Sequence, residues 1–180
     1  DHGLTVGDGV FETCGVVRGR PFALTRHLRR LRQSAVGIGL APPDEDLIRE
    51  GVEAVLAAGT NLGRLRITVT AGLGPLGSGR WASPQTVLVL AGPAQPADVV
   101  RVVRVPWVRN ERSAVAGLKT TSYAENVVAL ARAAEAGTLF REGLAQFVEK
   151  FDQLLEVRGT GLMVGLVMDV PAKALVDKCR

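Results

Sequence analysis

Aromatic residues are scarce in this chain: one tyrosine, two tryptophans and five phenylalanines make up 4% of 180 residues. Platforms for stacking nucleic-acid bases are correspondingly few. Cysteine is scarcer still. Cys14 and Cys179 stand far apart with no metal-ligand spacing around them, so neither a disulfide framework nor a zinc site is indicated. A reducing cytoplasm is the expected compartment. No run of about 18 uncharged apolar residues occurs, which argues against a membrane-spanning helix. The first residues show no basic start followed by an apolar run, and no secretory signal is expected. What remains is the composition of a globular chain, 47% apolar and 22% charged. At this length roughly 70% of the extended-chain surface can be buried without a covalent staple.

Lysine is also rare, and its distribution is uneven. The basic side comprises 18 arginines and four lysines, and Lys119 is the single lysine among the first 149 residues. On a solvated surface the two cations serve alike, so one surviving lysine can be an accident of composition. In chemistry they differ, because a guanidinium is effectively always charged whereas an amine can lose its proton and attack a carbonyl.

Periodicity predicts a hairpin from Phe11–Val17 and Arg20–Leu24 across Arg18-Gly19. A helix capped by Thr25 should run to about Ile38, with Leu28, Leu31 and Ala35 on one face. After Pro42-Pro43, Asp44 opens a second helix carrying Leu47, Ile48, Val52, Val55 and Leu56. Strands are expected at Arg64–Thr70, Gln85–Leu90 and Val99–Val108. Ser122-Tyr-Ala-Glu125 reads as a capping box for a helix to about Ala136. A separate helix from Leu139 to about Phe151, a strand Leu162–Met168 and a short helix after Pro171 complete the order. Helices and strands mix without strict alternation, which points to an α+β fold.

Two tempting readings are set aside. Gly72-Leu-Gly-Pro-Leu-Gly77 matches G-x-G-x-x-G after a strand, yet the next element is another strand, and the dinucleotide fingerprint requires a helix there. A long hairpin loop is expected instead. Arg26, Arg29, Arg30 and Arg32 cluster on one helix as a phosphate-binding patch would, but 18 acids nearly balance 22 bases and aromatics are few. A solvated face is the plainer account, and nucleic acid is not the expected partner. His2 and His27 lack neighbours at metal-ligand spacing.

Lys119 precedes the capped helix, and the positive end of a helix dipole disfavours an ammonium nearby. A lysine so placed can form a Schiff base with an aldehyde cofactor. Asp8-Gly-Val-Phe-Glu-Thr13 with Arg20-Pro-Phe-Ala-Leu-Thr-Arg-His-Leu-Arg-Arg-Leu-Arg-Gln-Ser-Ala35, and Gly117-Leu-Lys-Thr-Thr-Ser-Tyr-Ala-Glu-Asn126, resemble the class IV (fold-type IV) pyridoxal-phosphate enzymes over about residues 1–137. That group holds branched-chain and D-amino-acid aminotransferases and 4-amino-4-deoxychorismate lyases. The resemblance implies pyridoxal 5′-phosphate held on Lys119, which would also shuttle protons. It implies Arg30 on the cofactor phosphate, Phe11 in the substrate pocket, Arg66 facing a substrate carboxylate and Tyr123 near the cofactor ring, where a core position is the competing reading.

The resemblance also implies a fold-type IV-like small two-layer domain over 1–110, lacking the family's usual first strand. A cofactor-lysine segment over 111–137 would open a partial second α/β domain. Beyond about Gly137 the residues read differently: Phe140–Phe151 and Glu156-Val-Arg-Gly-Thr-Gly-Leu-Met-Val-Gly165 resemble the C-terminal part of class III aminotransferases such as acetylornithine aminotransferase, as a join or chimera would. Glu156 is the one candidate there for the carboxylate on the pyridine nitrogen. The expected function is amino-group transfer on an amino acid by a homodimer. Aminodeoxychorismate cleavage to 4-aminobenzoate and pyruvate is the first alternative; a catalytically incomplete fragment and a basic nucleic-acid-binding protein are the others.

Overall fold

The computed structural model describes residues 1–94, 105–160 and 163–178, which fall into two compact units. The first comprises Asp1–Pro96 and Arg109–Tyr123; the second comprises Ala97–Val108 and Ala124–Arg180. The division lies at Tyr123, so the Lys119 segment packs with the first unit, whereas the sequence attached it to the opening of the second.

In the first unit a short helix, α1 (His2–Thr5), leads into β1 (Gly9–Val17), β2 (Arg20–Pro21), α2 (Leu24–Gly37), α3 (Glu45–Ala58), β3 (Arg64–Thr70) and β4 (Thr86–Gly92). The strands form one antiparallel sheet in the order β2-β1-β3-β4. The turn between β1 and β2 takes positive φ at both Arg18 and Gly19, the twist that a two-residue hairpin favours. Register aligns Val10, Val69 and Val87, then Glu12, Ile67 and Val89, then Cys14, Leu65 and Ala91 on one face. Leu28, Leu31 and Ala35 of α2 and Ile48 and Val52 of α3 close over that face, each at helical spacing. This layer is the core. Phe11, Thr13, Arg66, Thr68, Leu88 and Leu90 alternate onto the opposite face.

Asp44 caps α3 as expected, its Oδ1 accepting from the Asp46 and Leu47 amides. Thr25 does not cap α2. That helix starts two residues earlier than such a cap would place it, behind Ala23 in the left-handed region, and carries no side-chain cap. The glycine-rich segment is the β3–β4 hairpin loop. Gly72 sits there at φ 78° with its Cα against the backbone of Pro84, where a Cβ would fall 1.9 Å from the Pro84 carbonyl oxygen.

The second unit holds α4 (Ala124–Lys150), the antiparallel pair β5 (Leu154–Thr160) and β6 (Met163–Met168), and α5 (Lys173–Lys178). The expected break near Gly137 is absent: one 27-residue helix runs through it, with the Thr138 hydroxyl donating back to the Ala134 carbonyl. A single glycine costs a helix only about 1 kcal/mol, too little to stop one flanked by good helix formers. The helix begins at Ala124 rather than at the Ser122 capping box. β5 was not expected as a strand. The strand expected over Val99–Val108 lies largely outside the described residues, and 105–108 are not strand. No helix among the described residues is long and apolar enough to cross a membrane.

Candidate active site

β1 is paired by β3 from Gly9 to Gly15 on one side, but on the other side β2 reaches only Val16 and Val17. The open half of that edge is filled by residues 119–121. The Phe11 amide donates to the Lys119 carbonyl at 3.1 Å, the Thr121 amide donates to the Gly9 carbonyl at 2.9 Å, and Val10 and Thr120 form an antiparallel bridge. Strand alternation then settles which way each side chain points. Thr120 follows Val10 toward the helix layer and is buried, whereas Lys119 turns with Phe11 onto the other face. The Lys119 amide is held in turn by the Ser34 hydroxyl of α2 at 3.1 Å.

On that face the Phe11 ring is the common neighbour. The Lys119 ammonium nitrogen lies 4.3 Å and the Arg66 guanidinium carbon 3.8 Å from its centroid. Tyr123 meets Phe11 edge to face, centroids 4.9 Å apart, the arrangement that aromatic quadrupoles favour. Lys119 Nζ donates to the Tyr123 hydroxyl at 3.1 Å. Arg66 Nε donates to Thr68 Oγ1 at 3.2 Å. The competing reading of Tyr123 as a core residue does not hold, since it is 40% exposed. Four residues singled out separately in the sequence thus share one aromatic surface.

Arg30 is engaged from below. Its Nε and Nη2 donate to the two carboxylate oxygens of Glu12 at 2.5 and 2.6 Å, and His27 Nδ1 lies 2.8 Å from Glu12 Oε2. Burial pushes the Glu12 carboxyl up, but the hydrogen bonds and charges of Arg30 and His27 outweigh it and hold the group below its ordinary value. The Glu12 hydrogen bond, opposed by burial and helped by the Glu12 charge, raises the Arg30 guanidinium above its ordinary value. Arg29 and Arg32 are exposed on α2.

Glu156 stands in the other unit. It lies on β5, and its carboxylate accepts from Arg158. Sequence reading passed over Glu12, His27 and Ser34. A signal for Glu12 was present: a carboxylate alternating with Val10 and Cys14 on the core face requires partners. His27, Arg30 and Ser34, spaced one turn apart on α2, supply them and the lysine anchor. It also missed a second cluster, in which Asp8 accepts from Arg80 Nε and Nη2 at 2.7 and 2.6 Å and from His2 Nδ1 at 2.8 Å. His2 Nε2 faces the Gly77 carbonyl at 3.0 Å. With an acceptor at each ring nitrogen, the hydrogen bond to Gly77 and then that to Asp8 raise the His2 pKa.

Comparison with known proteins agrees with the N-terminal motifs and corrects the C-terminal one. The family "Amino-transferase class IV" matches residues 9–152. Among curated relatives, a putative branched-chain-amino-acid aminotransferase of Methanocaldococcus jannaschii is 31% identical over 76% of this chain and 50% of its own length. A bifunctional aminodeoxychorismate lyase / D-amino acid transaminase of Mycobacterium tuberculosis is 32% identical over 73% of this chain and 49% of its own. The chain therefore spans about half the length of the curated relatives it matches. Among solved structures, a fold IV-transaminase from Curtobacterium pusillum superposes with a TM-score of 0.60 at 34% identity, covering 75% of this chain and 49% of that one. The likeness of Phe140–Phe151 to class III enzymes is not supported, because the class IV match runs through it to residue 152 and one continuous helix spans the expected join. From the paired motifs to the lysine on the edge of β1, this chain belongs to the class IV aminotransferase family.

Proposed function

We propose that this chain carries the cofactor-lysine portion of a pyridoxal 5′-phosphate enzyme that transfers an amino group on an amino acid, with a homodimer as the working assembly. The observation that carries the reading is the Lys119 amine set against Phe11 and Tyr123, with Arg66 over the same ring. The residues present fit the cofactor. The amine lies against the Tyr123 hydroxyl and the Phe11 and Tyr123 rings. Arg30 has one guanidinium edge anchored while about half of its side chain is exposed.

Lys119 would hold the cofactor covalently and carry protons to and from the substrate Cα, and Arg30 would take the phosphate dianion. When bound, the cofactor supplies the electron sink that weakens bonds at that carbon. Arg66 would receive the substrate carboxylate, its guanidinium steadied by the Phe11 ring and Thr68. Phe11 would form an apolar wall that keeps water from the reacting atoms, and the Tyr123 hydroxyl would orient the amine. Glu156 is left out of the proposal, because its carboxylate is engaged by Arg158.

Borohydride trapping with pyridoxal 5′-phosphate tests the reading. Peptide mass analysis should find the reduced adduct on Lys119, absent from Lys119→Ala; equal adduct in that variant would overturn the assignment. A second reading, cleavage of 4-amino-4-deoxychorismate, is favoured by the M. tuberculosis relative, whose name carries both activities. Release of 4-aminobenzoate and pyruvate without a keto-acid acceptor would select it over transfer.

A further inference from the structure

Glu12 is 1% exposed and sits on the core face of β1, between Val10 and Cys14 and opposite Ile67. A carboxylate in that layer is costly unless several donors meet it, and here three do, all from one face of α2. Two of them are adjacent nitrogens of Arg30 in a bidentate pair; the third is His27. Arg30 is thereby divided. Its Nε–Nη2 edge is locked inward, while more than half of the side chain remains exposed. The helix that carries Arg30 also holds the Lys119 amide, through Ser34 one turn further on. A long cationic side chain normally loses rotamer freedom when it grips a ligand. One already locked by a buried carboxylate loses little.

We infer that Glu12 is a positioning residue for the cofactor, holding the Arg30 guanidinium in a fixed orientation from which it grips the phosphate. The inference rests on the proposal that Arg30 takes that phosphate. Two effects of the carboxylate oppose each other: its charge repels a dianion, and its grip orients the cation. The charge is already offset by Arg30 and, when protonated, His27, so orientation prevails and loss of Glu12 weakens phosphate binding.

Affinity of the 180-residue chain for pyridoxal 5′-phosphate and for unphosphorylated pyridoxal, read by absorption and by the borohydride adduct on Lys119, tests this. Glu12→Gln is expected to weaken the phosphorylated cofactor selectively by about threefold to tenfold, the cost of immobilising one long side chain. It should leave pyridoxal unchanged and add nothing in an Arg30→Ala background. Glu12→Asp, which keeps the charge but withdraws it by one methylene, should fall between. If Arg30→Ala loses the phosphorylated cofactor selectively while Glu12→Gln weakens both equally, or tightens the phosphorylated one, the inference is overturned and the phosphate assignment stands. If Arg30→Ala shows no selective loss, the assignment falls and the inference with it. Should Glu12→Gln not fold, NMR of the unaltered chain decides. The Arg30 Nε proton should be resolved and slowly exchanging before cofactor is added; an averaged signal that sharpens only with cofactor would overturn the inference.

Discussion

The two units of this chain use apolar residues in opposite ways. In the first, apolar side chains alternate on the strands and recur every third or fourth residue on α2 and α3, and the two patterns meet in one buried layer. In the second, α4 is apolar around much of its circumference, yet Gly137 is its single buried residue. Val127, Leu130, Leu139 and Phe147 of α4 are all exposed. A helix that is hydrophobic all round has the composition of a buried helix, and the described residues of its own unit leave it open. Periodicity therefore reports where a chain can bury surface, and packing decides where it does. The candidate site belongs to the unit in which the two agree.

Truncation of the core should separate the units most strongly. Leu31→Ala or Ile67→Ala removes a side chain that is 1% exposed and should cost about 2–5 kcal/mol in urea unfolding. Leu130→Ala, at 74% exposed, should cost under about 0.5 kcal/mol. Comparable losses at both positions would show that α4 is covered in solution and would erase the contrast.

Next in size is the arginine series on α2. Arg30→Ala should reduce affinity for pyridoxal 5′-phosphate on the order of tenfold to a hundredfold, as loss of a charge-assisted hydrogen bond of about 1.5–3 kcal/mol implies. Arg29→Ala and Arg32→Ala should change it little, and equal small losses for all three would return Arg30 to the surface.

The Asp8–His2–Arg80 cluster should give the first unit a pH window. The Arg80 hydrogen bond, opposed by burial and helped by His2, holds the Asp8 carboxyl below 3.8. A depressed carboxyl contributes stability above its unfolded value and loses it as pH falls through the folded one. His2 is raised above 6.5, so its contribution is complete below 6.5 and fades as pH climbs through the raised value. Stability against thermal unfolding should thus be greatest between about pH 4 and 6.5 for these two groups. Asp8→Asn should flatten the acid side and His2→Gln the upper side; a wild-type slope retained in either variant would remove that residue from the account. Glu156→Gln should do least. Its pair with Arg158 is exposed and worth under about 1 kcal/mol, and cofactor capture should not change. Capture lost with Glu156 would tie the second unit to the site.

Much of the local structure was readable from the chain because its causes are local. The limits of β3 follow from alternation, α3 from the Asp44 cap, and the β1–β2 turn from Arg18-Gly19. Phe11 and Lys119 could be singled out because each lies in a contiguous motif and Lys119 lacks lysine neighbours. The helix through Gly137 was misread for a local reason too: a glycine looks like punctuation, although the turns on either side outweigh it.

What only the tertiary structure decided is long-range. That residues 119–121 complete the edge of β1 depends on how far β2 extends, which no window around Lys119 contains. The pairing of Glu12 with His27 and Arg30 joins positions 15 and 18 apart on a strand and a helix. The alternation that carries Glu12 onto the face of Val10 and Cys14, and the one-turn spacing of His27, Arg30 and Ser34, were present in the sequence although passed over; that these residues would meet was not. Side-chain spacing sets which face a residue occupies, and only the packing of α2 on the sheet sets which faces touch.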